Sequence, residues 1–185
     1  PPPAAGPARS GEVEIVVGMD SAAEAARAFL AARGYDLVAP PLARLEGDGT
    51  VAAEKIARFL LELAGRARAA FVLAGETTLR LPDRVGRGGR NQHLAALVAR
   101  RLDGVGGVAF VAGGTDGIDG NSDAAGAVVD GTTASRARRA GADLDRAIEA
   151  FDTHTALAAA GATLTPGPTG TNLGDLVVGI SGAPA

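Results

Sequence analysis

Short apolar runs alternate along the chain with longer segments in which apolar residues recur at helical spacing. Apolar runs of three to five residues between glycine or polar residues predict strands, and these lie at 15–17, 36–39, 70–74, 108–112 and 176–180. The helical spacing predicts helices at 21–33, 50–66, 91–102, 132–140, 143–150 and 154–160. This alternation indicates an α/β fold, with a mixed or parallel sheet, helices on both faces and glycine-rich loops at the strand ends.

Two of the predicted elements carry clear local signals. Ser21 is placed to cap the first helix, and Gly34 stands where a left-handed residue commonly ends such a helix. The run 108–112 is entirely apolar and has glycine nearby on both sides. A run of this kind predicts a central strand that is buried on both faces.

The first of three candidate functional loops covers residues 86–92 and leads directly into a predicted helix. Backbone N–H groups in the first turn of a helix lack partners and carry a partial positive charge. Arg87 and Arg90 stand beside this terminus and offer forked donors that match phosphate or carboxylate oxygens. The loop therefore predicts an anion-binding site, with a plain turn and solvated arginines as the alternative. It is not a dinucleotide-binding fingerprint, because Asn91 stands where that motif requires glycine.

The second loop, residues 113–123, follows the predicted central strand at its carboxyl end, where open α/β sheets bind their ligands. It places Asp116, Asp119 and Asp123 close together in the sequence. Clustered carboxylates repel one another unless a cation or donors compensate, and hard oxygen ligands suit magnesium or calcium. The three aspartates are therefore candidate metal ligands, with turn formation and helix capping as the alternative. An EF-hand is disfavoured, because Ala124 replaces its required glycine.

The third loop, residues 166–175, combines prolines and glycines with small polar residues. This composition predicts a rigid loop whose backbone can bind an oxyanion. The two histidines give a weaker signal, because neither His93 nor His154 has a second histidine at metal-ligand spacing. We predict surface or capping positions for both of them.

Composition excludes several classes of function. The 185 residues include 21 acidic and 18 basic side chains, for a net charge of −3, so no strong field favours nucleic acid or an anionic membrane. Cysteine is absent, which excludes disulfides, thiol nucleophiles and zinc–thiolate sites. No apolar run is long enough to span a bilayer, and the chain starts with a proline-rich stretch rather than a signal peptide. We expect a soluble cytoplasmic protein, with a disordered tail at 1–11 and one structured unit at 12–185.

Five motifs in and around these loops together resemble one known family. They are GETT at 75–78, GGRNQ at 88–92, GTDGIDG at 114–120, DAAGAVVDGTT at 123–133 and TGTN at 169–172. In order and spacing they resemble the C-terminal MOFRL domain of glycerate 2-kinases, and residues 12–74 more loosely resemble the segment that precedes it. On this resemblance, about 75–185 is the MOFRL domain proper and 12–185 is the C-terminal lobe of such a kinase.

The resemblance implies ATP-dependent phosphorylation of the 2-hydroxyl of D-glycerate, with Mg²⁺, in a cleft between this lobe and an N-terminal Rossmann-like lobe that the chain lacks. It implies that Arg90 is the catalytic arginine and that Asp116 is the acidic loop residue. It also implies a substrate- and phosphate-binding set, which comprises Glu76, Thr77, Arg87, Gly89, Asn91, Gln92, Thr115, Gly117, Thr169, Gly170, Thr171 and Asn172.

The chain departs from the family pattern at positions that bear on activity. It lacks the active-site lysine of the N-terminal lobe, and its only lysine, Lys55, lies on a predicted solvated helix face. His93 stands where the family usually has glutamate. We therefore expect the chain to fold alone but not to turn over substrate alone. A module that binds an anion or a divalent cation without chemistry is the alternative function.

Overall fold

The computed structural model describes residues 18–182, which form six helices and six strands. The helices are α1 Met19–Ala31, α2 Gly49–Leu63, α3 Arg90–Arg101, α4 Thr133–Arg139, α5 Leu144–Glu149 and α6 Thr153–Ala159. The strands are β1 Asp36–Leu37, β2 Ala69–Gly75, β3 Val108–Gly114, β4 Gly126–Asp130, β5 Thr163–Leu164 and β6 Asp175–Ser181.

All six predicted helices are confirmed, with ends that differ by three residues at most. The cap of α1 is a correction, because Gly18 rather than Ser21 precedes the helix. Ser21 lies inside the first turn, where its Oγ accepts a hydrogen bond from the Gly18 N–H at 3.3 Å. Gly34 has a φ of 77°, as a residue just beyond a helix end requires. The strand predicted at 15–17 lies outside the described residues.

The strands form one mixed sheet in the order β1-β2-β6-β3-β4-β5. The β1–β2 pair is parallel, and the remaining pairs are antiparallel. Strands β4 and β5 are not among the predicted strands. β5 has only two residues, and β4 begins at Gly126, where a Cβ atom would lie 1.9 Å from the Ala112 carbonyl oxygen. This close approach explains a glycine that reads in the sequence as a strand breaker.

Helices cover the two faces of the sheet unequally. On one face, the side chains of Phe71 and Phe110 pack in a large core with helices α2 to α6. On the other face, α1 packs mainly over β2, through Ala23 and Leu30, and reaches β6 only in part. Strand β3 lies in the interior of the sheet, as predicted. It is fully buried on only one face, because Ala109 and Val111 face the side that α1 leaves partly open.

The topology brings the three glycine-rich loops to one edge of the sheet. Strands β2 and β3 run in the same direction on either side of β6, which runs against both. Asp175, the first residue of β6, pairs with Gly75 at the end of β2 and with Gly114 at the end of β3. The loops that follow β2 and β3, and the loop that precedes β6, therefore meet around Asp175. No helix in the described range 18–182 has the length and apolar character needed to cross a membrane.

Candidate active site

The first turn of α3 is held by a carboxylate from the second loop. Asp119 accepts hydrogen bonds from the backbone N–H groups of Asn91 at 3.0 Å and Gln92 at 2.8 Å. The Gln92 side-chain amide adds a third bond at 3.0 Å, and Asp119 is only 3% exposed. Burial raises the pKa of Asp119, and these hydrogen bonds oppose the rise. The anion that the sequence predicts at this helix terminus is therefore supplied by the protein itself.

The contact with Asp119 accounts for four of the predicted site residues. Asp119 uses its carboxylate oxygens as a brace for α3 rather than as free metal ligands. Asn91 and Gln92 are buried, and their side-chain amides bond within the protein, to Asp175 and to Asp119 and Ser122 respectively. Gly89 leaves the space for this contact, because a Cβ atom there would lie 2.4 Å from the Asp119 carboxylate.

Arg90 is fixed by two carboxylates at the edge of the sheet. Its Nε and Nη2 atoms donate to the two oxygens of Asp175 at 2.6 and 3.0 Å. Its Nη1 atom lies 2.8 Å from Oε1 of Glu76. Asp175 is 2% exposed, and hydrogen bonding to it raises the pKa of Arg90. The bidentate geometry gives the guanidinium one orientation, with about a third of the side chain open to solvent.

The other predicted arginine has a different environment. Arg87 lies 3.3 Å from Asp123 in an ion pair at the surface, where the two side chains are 56% and 78% exposed. His154 links this ion pair to Gln92, the partner of Asp119. Its Nδ1 is 2.9 Å from Gln92 Oε1, and its Nε2 is 3.6 Å from Asp123. His154 is buried rather than at the surface, so its predicted position is wrong.

Hydrogen bonds fasten the third loop to the second. The Thr115 hydroxyl donates to the Gly174 carbonyl at 2.8 Å and accepts from the Leu173 N–H at 2.7 Å. The Thr169 hydroxyl donates to the Thr115 carbonyl. Gly117 has a φ of 88°, and a Cβ atom there would lie 2.0 Å from a carbonyl oxygen of the third loop. The predicted residues Gly170, Thr171 and Asn172 are exposed at the tip of this joined pair of loops.

The predicted three-carboxylate metal site is not formed. Asp119 is the helix brace, and Asp123 faces Arg87 and His154. Asp116 is half-buried and accepts from the Ile118 N–H at 3.1 Å. Among the residues that the structure describes, no three His, Cys, Asp or Glu side chains lie close enough together to hold a metal ion. Asp116 is thus the one aspartate of the three that neither braces α3 nor pairs with a basic side chain.

A cavity of about 460 Å³ opens beside Arg90, and we call it the Arg90 cavity. Of the predicted site residues, Glu76, Thr77, Gly89 and Asp119 also line it. Its further lining residues are Thr78, Leu79, Leu81, Val85, Gly86, Gly88, His93, Gly120, Asn121, Phe151 and Thr153. Neither the lining positions of His93 and Phe151 nor the pairing of Asp175 with Arg90 was predicted from the sequence. Asp175 is the last residue of the third candidate loop, whereas nothing in the local sequence pointed to Phe151.

His93 forms part of the cavity wall and is 5% exposed, so its predicted surface position is wrong. Its ring stacks on Phe151 with a centroid distance of 4.6 Å and an angle of 8° between the planes. Burial, with a smaller contribution from the charge of Arg100, lowers the pKa of His93 to about 4. The imidazole is therefore neutral at pH 7.

This pKa predicts an acid-sensitive fold. Between about pH 6.5 and pH 4 the unfolded chain protonates His93 while the folded chain does not, so the free energy of unfolding falls as the pH falls. The shift corresponds to a loss of about 3 kcal/mol. Urea unfolding at pH 7 and pH 4 measures the loss in the wild type and in His93→Phe, which has nothing to titrate. We expect the variant to lose about 3 kcal/mol less than the wild type over this interval. Equal losses would contradict the burial of this ring.

Comparison with known proteins agrees with the resemblance seen in the sequence. A D-glycerate 2-kinase of Thermotoga maritima is 45% identical over 112 residues, which are 60% of this chain and 27% of that protein. A putative hydroxypyruvate reductase of Agrobacterium vitis is 37% identical over 173 residues, which are 90% of this chain and 45% of that protein. The crystal structure of a glycerate kinase from Thermotoga maritima superimposes with a TM-score of 0.83 at 33% identity, over 92% of this chain and 42% of that one.

These matches have two consequences. The chain spans less than half the length of each of these relatives. The similarity in structure nevertheless extends over nearly the whole chain, which confirms the predicted α/β fold with a mixed sheet. Residues 69–175 match the MOFRL family model, and this range includes β2, α3, β3 and all three loops. The chain therefore belongs to the MOFRL family.

Proposed function

We propose that this chain is the C-terminal lobe of an ATP-dependent glycerate 2-kinase. The observation that carries the proposal is Arg90, a single guanidinium held in one orientation by Asp175 and Glu76 beside an open cavity. The relatives named as glycerate kinases support the reaction class. The domain bounds and the cytoplasmic location stay predictions.

In the proposed reaction the 2-hydroxyl oxygen of D-glycerate accepts the γ-phosphoryl group of ATP, and ADP leaves. Phosphoryl transfer needs in-line positioning and stabilisation of charge on the transferred oxygens. A guanidinium that is already oriented supplies such stabilisation without reorganising during the reaction. Arg90 has this property because Asp175 is buried and engages two of its donors.

The charges near Arg90 imply that other cations take part. Arg90 carries one positive charge, whereas Glu76 and Asp175 together carry two negative ones. A triphosphate would be repelled from this cluster unless further positive charge accompanied it. We propose that Mg²⁺ enters with ATP, held mainly by phosphate oxygens and by the carboxylate of Asp116 alone, a mode that magnesium commonly adopts. Bound there, the ion would neutralise phosphate charge, and a lysine of the other lobe would add to that effect.

A fusion protein tests the proposed function directly. In this fusion, residues 18–182 replace the matching part of the Thermotoga maritima D-glycerate 2-kinase. We expect ADP release that depends on D-glycerate and Mg²⁺, measured by a coupled assay, from the fusion but not from the 185-residue chain alone. The chain alone lacks a closed cleft to align the donor with the acceptor. Turnover by the chain alone above about 1 s⁻¹ would show that one lobe suffices. A folded fusion that binds ATP without turnover would instead favour the binding module.

Asp116→Asn in this fusion tests the proposed magnesium contact. The substitution keeps the side-chain shape and the acceptor for the Ile118 N–H but removes the negative charge. We expect the Mg²⁺ concentration for half-maximal rate to rise at least about tenfold, with an unchanged melting temperature. Asp145→Asn is the matched control, because Asp145 is an exposed aspartate on α5. A lowered melting temperature with full activity would make Asp116 a turn residue only.

A further inference from the structure

The Arg90 cavity has apolar walls and a guanidinium at its edge, and of the two proposed substrates ATP matches this combination. We propose that it holds the adenosine part of the phosphoryl donor, with His93 and Phe151 in the wall that contacts the nucleoside. This inference rests on the proposed function, because it takes ATP as the donor. It adds a nucleoside subsite that lies beside Arg90 and does not include the third loop.

The size and walls of the cavity favour a nucleoside over glycerate. A volume of about 460 Å³ lies within the range of roughly 300–1,000 Å³ that small-molecule sites occupy. Leu81 and Val85 line it, yet they are 59% and 44% exposed, so they leave apolar surface open to water. Leu79 and Phe151 extend this apolar surface. D-Glycerate is a small acid without an apolar part, whereas a purine with its ribose has the area to cover such walls.

His93 adds a polar group that lacks a partner in the described structure. Its ring is buried in the cavity wall, and within residues 18–182 its Nδ1 atom has no hydrogen-bond partner. Buried polar atoms without a partner are uncommon, because the lost hydrogen bond to water is not replaced. The neutral ring adds no charge for a phosphate, but it can exchange a hydrogen bond with an uncharged base or ribose hydroxyl.

Phe151 is held in an unfavourable backbone conformation at the same wall. Its φ is 51°, in the left-handed region that bulky residues rarely adopt. The conformation occurs at the turn between α5 and α6 and is accompanied by the stacking of Phe151 on His93. Backbone strain of this kind tends to persist at ligand sites, where the surroundings hold the residue in place.

The position of Arg90 sets the direction of the bound donor. Arg90 lines the cavity and also bonds Asp175, around which the three loops meet. A nucleoside in the cavity would therefore direct its phosphates toward Arg90. The acceptor would approach from the third loop, which holds Thr169 and Thr171 and does not line the cavity. The donor and the acceptor would then contact different loops.

An NMR titration of the complete 185-residue chain tests the subsite without relying on catalysis. The ring C–H signals of the two histidines are followed while adenosine, inorganic pyrophosphate or D-glycerate is added separately. We expect adenosine to shift the His93 signals in a saturable way and to leave His154 unchanged. We expect D-glycerate to leave the His93 signals in place. Adenosine that shifts neither histidine, or both equally, would overturn the proposal.

A double variant and its control sharpen the result. Leu81→Ser with Val85→Ser removes exposed apolar surface without opening the core, and it should weaken adenosine binding at least about fivefold. Leu61→Ser, an exposed leucine on α2, should leave binding unchanged. Equal adenosine binding by the wild type and the double variant would overturn the subsite. Adenosine binding at His93 together with an inactive fusion would reject the kinase and retain the subsite, whereas an active fusion without adenosine shifts would do the reverse.

Discussion

Replacing Arg90 with alanine is expected to lower kcat of the fusion enzyme by about 10³-fold or more. In the proposed reaction the transferred phosphoryl group would lose the guanidinium that Asp175 and Glu76 hold in orientation, and losses of this size follow removal of a transition-state cation. Arg90→Lys should recover only a small part of the rate, because an ammonium group cannot bond both oxygens of Asp175 while contacting phosphate. Steady-state kinetics at saturating ATP and D-glycerate measures both effects.

Arg87→Ala is the matched control for this prediction. Arg87 is three residues away in the same loop, but it pairs with Asp123 at the surface, so its removal should change kcat less than about threefold. Circular dichroism must show an intact fold in each variant, since loss of Arg90 leaves the buried Asp175 with fewer partners. A fall below tenfold for a folded Arg90→Ala protein would contradict the catalytic assignment. Equal losses for the two arginines would contradict it as well.

Replacing Asp119 with alanine is expected to lower the free energy of unfolding by about 4 kcal/mol. The change leaves two backbone N–H groups and the amide of Gln92 without their acceptor in a buried environment. Each lost hydrogen bond to a charged group costs about 1.5–3 kcal/mol, and partial relaxation offsets some of the sum. Asp116→Ala is the control, because that residue is half-buried and accepts one backbone bond at 3.1 Å, so it should lose no more than about 1 kcal/mol.

Urea unfolding with and without Mg²⁺ distinguishes the brace from a metal ligand. For a brace, the loss in Asp119→Ala is the same in both conditions, and Asp119→Asn shows a smaller loss because one acceptor oxygen remains. Mg²⁺ that stabilises the wild type but not Asp119→Asn would return this residue to the predicted metal site. A loss below about 1 kcal/mol in Asp119→Ala would contradict the brace.

Much of the architecture was open to prediction because its signals are local. The spacing of apolar residues predicts helices α2 and α3, and short apolar runs predict strands β2, β3 and β6. Strand β4 was not predicted because Gly126 is typical of a loop in the sequence. Its role is visible only in the sheet, where the Ala112 carbonyl on the neighbouring strand leaves no space for a side chain. The insertion of β6 between β2 and β3 was also beyond the sequence, since strand order depends on contacts between residues far apart in the chain.

The residues of the candidate site could also be predicted only in part from the sequence. The sequence by itself determined which loops are candidates for the chemistry, because glycine, asparagine and aspartate concentrate there in recognisable motifs, and it marked Arg90 as the candidate catalytic arginine. Only the tertiary structure decided that Asp119 occupies the helix terminus, that Arg87 faces the surface and that Asp175 orients Arg90. A motif specifies residue types and spacing along the chain, whereas the partner of each charged group depends on which distant segments the sheet brings into hydrogen-bonding range.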